Sequence, residues 1–308
     1  VAPYFRGTFM KLSNTTLFLI PSLIWGSTWY AIKFQIGTTD PLYSVAFRFF
    51  LAAFLLILFI MIKGESIRFS WKTHLYFMLQ GVCLFGINYW LVYMSEEHLT
   101  SGLVAVIFGG LIFLNVFLSA LFLKSKIHTP VVVGGVIGTV GMGLIFKDEL
   151  SVFDFSDMNF LAFLMALGAM TLASCGNILS AHYQRKRIPI MQSNAFGMFY
   201  GAVMVTIIAL LMGTPLIYDS SISYSVALIY LSVFGSVIAF NTYLSLLGKI
   251  GPGKAGYISL SMPVIALLFS TFLEGYHWTV ASLIGLLMIL TGMYIALQRK
   301  QTVKVETI

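Results

Sequence analysis

Residues 41–62 read PLYSVAFRFFLAAFLLILFIMI, and residues 63–72 behind them read KGESIRFSWK. The first stretch holds one charge, Arg48; the second holds Lys63, Arg68 and Lys72. At about 1.5 Å per residue, a helix of the first stretch covers the ~30 Å hydrocarbon core of a bilayer. The cationic run behind it marks the side on which positive charge is retained, because insertion opposes its translocation.

The same unit recurs in both directions along the chain. Ten apolar runs lie near Thr15–Phe34, Pro41–Ile62, His74–Met94, Ser101–Leu123, Pro130–Phe146, Phe160–Tyr183, Met191–Met212, Ser225–Leu247, Ala255–Leu273 and Trp278–Leu297. Lys and Arg alternate between their connections. Fifteen of the eighteen stand in the N-terminal segment (Arg6, Lys11), in every second gap, or in the tail (Arg299, Lys300, Lys304). Only Lys33 and Lys147 stand at the other five connections. Nine of the eleven acidic residues do the reverse, among them Asp40, Glu96, Glu97, Asp148 and Asp219. One missed or invented helix would scramble this split. The expected class is therefore an all-α integral membrane protein with ten transmembrane helices and both termini in the cytoplasm.

Composition agrees. The chain is 59% hydrophobic and 9% charged, against about 25% charged in soluble domains. The net charge of +7 is the sum of the cytoplasmic loops, so no nucleic-acid partner is expected; the bilayer is. Cys83 and Cys175 fall mid-span and read as packing residues. The first run continues through Trp25-Gly26-Ser27-Thr28-Trp29-Tyr30 without a small-residue exit, so it reads as a span rather than a cleaved leader.

The chain also matches itself. At an offset of 151 residues, Gly102 meets Gly253, Gly134 meets Gly285, and Gly141-Met142 meets Gly292-Met293. Apolar runs and gaps repeat in the same order. A unit with five spans inserts in the opposite sense when repeated, so the halves are expected to be inverted. Inverted halves have two nearly equivalent conformations, one open to each side, as alternating access requires.

Ile24-Trp25-Gly26-Ser27-Thr28-Trp29-Tyr30-Ala31-Ile32-Lys33 resembles the first-helix signature of EamA-type members of the drug/metabolite transporter superfamily. Pro41 with Phe47-Arg48-Phe49 resembles that family's second helix, Gly134 to Gly143 its glycine-rich fifth, and Gly251 to Glu274 its ninth. The resemblance runs from Asn14 to Leu297. It implies two inverted EamA repeats, 14–147 (helices one to five) and 156–298 (helices six to ten), with 299–308 as a cytoplasmic tail. It implies export or exchange of small metabolites, amino acids or drugs across a bacterial inner membrane. It also implies a central cavity lined by helices one, three, four, six, eight and nine.

Those helices carry the polar residues. Candidate substrate-binding positions are Trp25, Ser27 and Tyr30 on the first, Gln80, Asn88 and Tyr89 on the third, and Asn115 on the fourth. Asn177, Asn241, Tyr257 and Ser261 continue the set on the sixth, eighth and ninth. Gln80 and Asn88 differ by about 80° around a regular helix and are expected to share a face. Amides inside a bilayer need partners, so each either bonds a neighbouring helix or meets substrate. Arg48 lies about 10 Å inside its helix. A charge there calls for a partner or a wet cavity; it would attract a carboxylate or phosphate, or else bond helix-end carbonyls. Gly109, Gly110 and Pro263 are candidate hinges at comparable depths of the two halves. The spacing of Gly134, Gly138, Gly141, Gly285 and Gly292 reads as helix–helix packing surface, within one protomer or across a homodimer.

Other chemistry lacks its residues. There is no phosphate-binding glycine loop for ATP, no metal-ligand cluster, no catalytic constellation and no sign of a cofactor. No carboxylate falls inside the spans as drawn, so strict proton coupling is not expected. The expectation is a secondary carrier of small organic solutes, working as exporter, facilitator or exchanger. A lipid-handling flippase and a non-transporting receptor or scaffold stay open as alternatives.

Overall fold

The structure, a computed structural model, describes residues 12–151, 153, 157–273 and 277–298. The expected start of the second repeat at 156 and the tail 299–308 lie outside them. Among the described residues every regular element is helical. Eight stretches are long and apolar enough to cross a membrane: Pro41–Ile62, Trp71–Glu96, Gly102–Leu123, Met158–Arg185, Ile190–Leu211, Ile222–Ile250, Pro252–Phe269 and Val280–Leu297. Thr129–Ile145 is a shorter apolar helix, and Asn14–Ile32 is helical as well.

In chain order the elements are α1 (Asn14–Ile32), α2 (Pro41–Ile62), α3 (Trp71–Gly81) and α4 (Ile87–Glu96). Next come α5 (Ser101–Gly109), α6 (Leu111–Leu123), α7 (Thr129–Ile145), the short α8 (Lys147–Ser151), α9 (Asp157–Arg185) and α10 (Ile190–Leu211). The chain closes with α11 (Ile222–Tyr230), α12 (Ala239–Ile250), α13 (Pro252–Ala255), α14 (Ile258–Leu273) and α15 (Val280–Leu297). Several starts are fixed by local chemistry. The Asp40 carboxylate accepts from Leu42 N at 2.8 Å, with Pro41 at the first helical position. Thr279 and Ser282 cap α15 reciprocally.

Two π-helical segments join helices that the sequence reads as continuous: Val82–Gly86 between α3 and α4, and Leu231–Ile238 between α11 and α12. They occupy matching places at the 151-residue offset. A π turn accommodates an extra residue and changes the rotation per residue. Gln80 and Asn88 flank the first segment and consequently meet different helices, contrary to the regular-helix expectation. Gly110 separates α5 from α6 as expected. In the second half the break falls at Gly256 and Tyr257 instead, and α14 runs on through Pro263. A proline one turn into a helix forfeits a single backbone bond, which the surrounding packing tolerates.

The most extensive helix contacts pair α7 with α15 and α2 with α10. Both pairings join elements related by the offset. Along α7 and α15 the glycines meet crosswise. A Cβ on Gly134 would strike the carbonyl oxygen of Gly292, and one on Gly292 that of Gly134. Gly141 and Gly285 block each other in the same reciprocal way. The pairing ascends one helix while it descends the other, so the two run antiparallel. Small residues let backbones approach where burial of apolar surface supplies little drive. α2 contributes Ala46, Ala52 and Ala53 and α10 contributes Ala195, Ala202 and Ala209 to one buried core cluster. Outward faces carry exposed Phe54, Phe117, Leu211, Ile222, Phe272 and Tyr294. Such an apolar belt is costly in water and favourable against hydrocarbon chains.

Candidate functional site

Arg48 lies seven residues inside α2 and is 1% exposed. Its Nε donates to Ser236 Oγ at 3.0 Å, across to the second π-helical segment. Its guanidinium lies over the ring of Tyr89, 4.7 Å from the centroid, and 5.4 Å from that of Phe49. Gly235 leaves room for it: a Cβ there would sit 3.0 Å from Arg48 Nη2 and 3.1 Å from Thr28 Cγ2. The π turn also makes the Gly235 carbonyl available, and Trp25 Nε1 donates to it at 3.0 Å. Nη1 of Arg48 is buried without a hydrogen-bond partner among the described residues.

This group forms one wall of a cavity of about 120 Å³. Trp25, Thr28, Ile32, Arg48, Leu84, Asn88, Tyr89, Val92, Phe108 and Leu111 line it from the first half of the sequence. Ala173, Asn177, Phe240, Tyr243, Gly256, Ile258, Ser259 and Met262 line it from the second. The aromatic wall is built edge to face, with Trp25 5.0 Å from Phe240 and 5.2 Å from Tyr243. A mostly apolar concavity with few polar groups is the form of a small-molecule site.

The candidate residues divide into three sets. Trp25, Arg48, Asn88, Tyr89 and Asn177 line the cavity. Asn115 sits behind it and organises its floor. Asn115 Nδ2 donates to Pro252 O at 3.2 Å, and its Oδ1 accepts from Ser174 Oγ at 2.8 Å and Asn177 Nδ2 at 3.3 Å. Asn88 is held by a bond from its Nδ2 to Ala169 O.

The remaining candidates bond elsewhere. Gln80 Nε2 donates to Asn194 Oδ1 at 3.2 Å, Asn194 Nδ2 to Asn241 Oδ1 at 3.2 Å, and Ser193 Oγ to Gln80 Oε1. This buried chain ties α3, α10 and α12 together. Tyr257 donates to Val131 O at 2.6 Å. Ser261 shares a hydrogen bond with Ser22, and Ser27 one with Tyr230. Tyr30 is exposed, its ring 5.4 Å from Phe34.

Thr28, Tyr243 and Ser259 join the cavity from the same polar helices. The apolar lining, such as Leu84, Phe240 and Met262, is indistinguishable from core in sequence. The π segments had a trace: Cys83-Leu84-Phe85-Gly86 and Ser232-Val233-Phe234-Gly235 are similar tetrapeptides. One boundary also shifts. Glu96, assigned to a loop, is the last residue of α4, and its Oε1 is buried without a partner among the described residues.

An apolar helical bundle with eight helices of span length is a multi-pass membrane protein. The chain belongs to the EamA-like transporter family, which matches residues 13–147 and 160–298; it is a transporter and not an enzyme. It is 23% identical over 293 residues to Protein PagO of Salmonella typhimurium, covering 93% of each chain. It is 28% identical over 255 residues to YedA of Escherichia coli K12, an uncharacterised inner membrane transporter, covering 82% of this chain and 80% of that one. A probable amino-acid metabolite efflux pump of the same strain is 21% identical over 314 residues, covering 96% of this chain and 99% of the pump. A solved crystal structure superposes with a TM-score of 0.78 at 18% identity, covering 92% of this chain and 96% of its own, which fixes the fold alone.

Proposed function

We propose that this protein is a secondary carrier that moves small organic solutes, amino acids or related metabolites, across a bacterial inner membrane by alternating access. In this reading α1 and α7 also cross the bilayer, giving ten spans with both termini cytoplasmic. The two five-helix repeats, 14–147 and 156–298, are inverted about an axis in the membrane plane. The observation that carries it is the cavity whose wall is shared between the two halves. The crosswise glycine contacts of α7 and α15 support the internal two-fold relation, and the alternating loop charges support the orientation. The names of the efflux-pump and inner-membrane relatives point the same way. Gly110 and the Gly256–Tyr257 break supply places for the helices to bend.

The test is reconstitution into proteoliposomes with a labelled amino-acid panel inside and out. Solute flux that saturates, and that falls when Trp25 or Asn177 is replaced by Ala, is the expected result. Lipid scrambling with no solute flux would favour the flippase alternative; neither activity would leave a receptor or scaffold.

A further inference from the structure

Granting the carrier reading and its inverted repeats, we infer that Lys33 and Glu97 form the ion pair that shuts the external mouth of the cavity when the protein faces the cytoplasm. The starting observation is a contact that one end of the bundle has and the other lacks. At the cytoplasmic end α9 packs against α12. Gln184 on α9 donates through Nε2 to Leu244 O of α12 at 2.9 Å. It fits because position 248 is a glycine: a Cβ on Gly248 would collide with Gln184 Oε1. One residue on, Arg185 Nη1 donates to Leu123 O at 2.8 Å, which ties α6 to the same end. At the 151-residue offset the counterparts of α9 and α12 are α1 and α4. Among the described residues these two make no comparable contact. Instead Ile32 on α1 and Val92 on α4 both line the cavity, which stands between the two helix ends.

Inverted repeats exchange conformations when a carrier turns over, so a contact made at one end is remade by its counterparts at the other. The counterpart of Gln184 is Lys33, that of Leu244 is Tyr93, and that of Gly248 is Glu97. A long amide reaching over a bare glycine is thus replaced by two long side chains of opposite charge. Lys33 stands at the C-terminal cap of α1 and Glu97 at that of α4, and both are exposed. A carboxylate at a helix C-terminus opposes the dipole, so Glu97 gives α4 no support. A lysine at an external connection runs against the retention of positive charge inside. The other lysine of that kind, Lys147, pairs with its neighbour Asp148 at 3.9 Å. Drawing Lys33 and Glu97 together accounts for both exceptions. An exposed ion pair is weak, as a contact broken in every cycle must be.

The test uses purified protein in nanodiscs, with Cys83→Ala and Cys175→Ala as background. Approach is read by crosslinking. With Lys33→Cys and Glu97→Cys added, copper–phenanthroline should form a disulfide about tenfold or more faster than with Phe34→Cys and Glu97→Cys, the adjacent register. Charge is read separately, by electron–electron distance measurements between spin labels on Ile36→Cys and His98→Cys. The parent should show a shorter and a longer distance. Lys33→Glu and Glu97→Lys should each deplete the shorter one about threefold, the size of an exposed pair. The two reversals together should restore it to within about twofold of the parent. If a single reversal fails to fold, the crosslinking rates and the double reversal decide. Equal rates in the two registers, distances that neither reversal shifts, or a double reversal that restores nothing would each overturn the inference. Flux of the labelled amino-acid panel through a protein indifferent to these charges would sink this inference and leave the carrier standing. Charge-dependent closure without any flux would do the opposite.

Discussion

Arg48 Nε and Ser236 Oγ, 188 residues apart in sequence, meet at 3.0 Å in the interior. One belongs to the second helix of the first half, the other to the π-helical segment of the second half. The bond fixes how deep the guanidinium sits and which side of it faces Tyr89. Ser236→Ala removes that acceptor and leaves a charged donor buried. A loss of about 1–3 kcal/mol in unfolding free energy is expected, measured by denaturant titration in mixed micelles. Ligand-dependent stabilisation should shrink in the same variant.

Gly235→Ala tests the space rather than the bond. The new methyl group would sit 3.0 Å from Nη2 and 3.1 Å from Thr28 Cγ2, so one of the two must shift. Overpacking of this kind costs about 1–3 kcal/mol. Solute affinity should drop along with the melting temperature. Unchanged affinity would mean that Thr28 alone yields.

The helix pair α7–α15 gives a contrast between sites of one type. Gly134→Ala and Gly292→Ala each press a methyl against a partner backbone, and each is expected to cost about 1–3 kcal/mol. Gly143→Ala, on the same α7, meets only Leu150 Cδ1 at 3.9 Å and should be neutral or slightly stabilising. Thermal unfolding of the three variants in nanodiscs orders them.

The amide chain from Gln80 through Asn194 to Asn241 is internally bonded and lies away from the cavity. Asn194→Ala strips a partner from both neighbours, so stability should fall by about 1–3 kcal/mol while solute affinity in the folded fraction stays the same. Asn177→Ala should do the reverse, with affinity falling more than stability. Titration and unfolding on the same preparations separate the two outcomes.

Glu96 is a carboxyl candidate for proton coupling, standing at a span end. Glu96 closes α4 and has one buried oxygen without a partner among the described residues. Among the described residues no carboxylate lines the cavity itself. Flux is therefore expected to persist after the pH gradient is collapsed, and to do so equally in Glu96→Gln. A gradient-dependent rate that Glu96→Gln abolishes would assign the coupling to this residue.

The helical membrane class was legible because apolar runs of span length show in composition alone. Gly110 was legible as a break because a residue without a Cβ weakens a helix wherever it stands. Pro263 lies inside α14, and the helix runs on past the backbone bond it forfeits. The π turns at Val82–Gly86 and Leu231–Ile238 have no compositional signature of comparable strength, and they alter which face each downstream residue presents. That is why Asn88 reaches the cavity while Gln80, on the same apolar run, bonds α10. An amide in an apolar run announces that it has a partner; whether the partner is a helix or a solute is settled by packing between distant elements.

The paired glycines of α7 and α15 carry one more consequence. Contacts between bare backbones at two levels, each mirrored by its twin, resist sliding, because a shift of either helix along the other drives carbonyl oxygens into Cα atoms at both levels at once. One helix from each half is thereby spliced into a single stationary strut. Room for a passing solute has to be made by the other helices, and the chain bends beside this strut, at Gly110 and at Gly256–Tyr257.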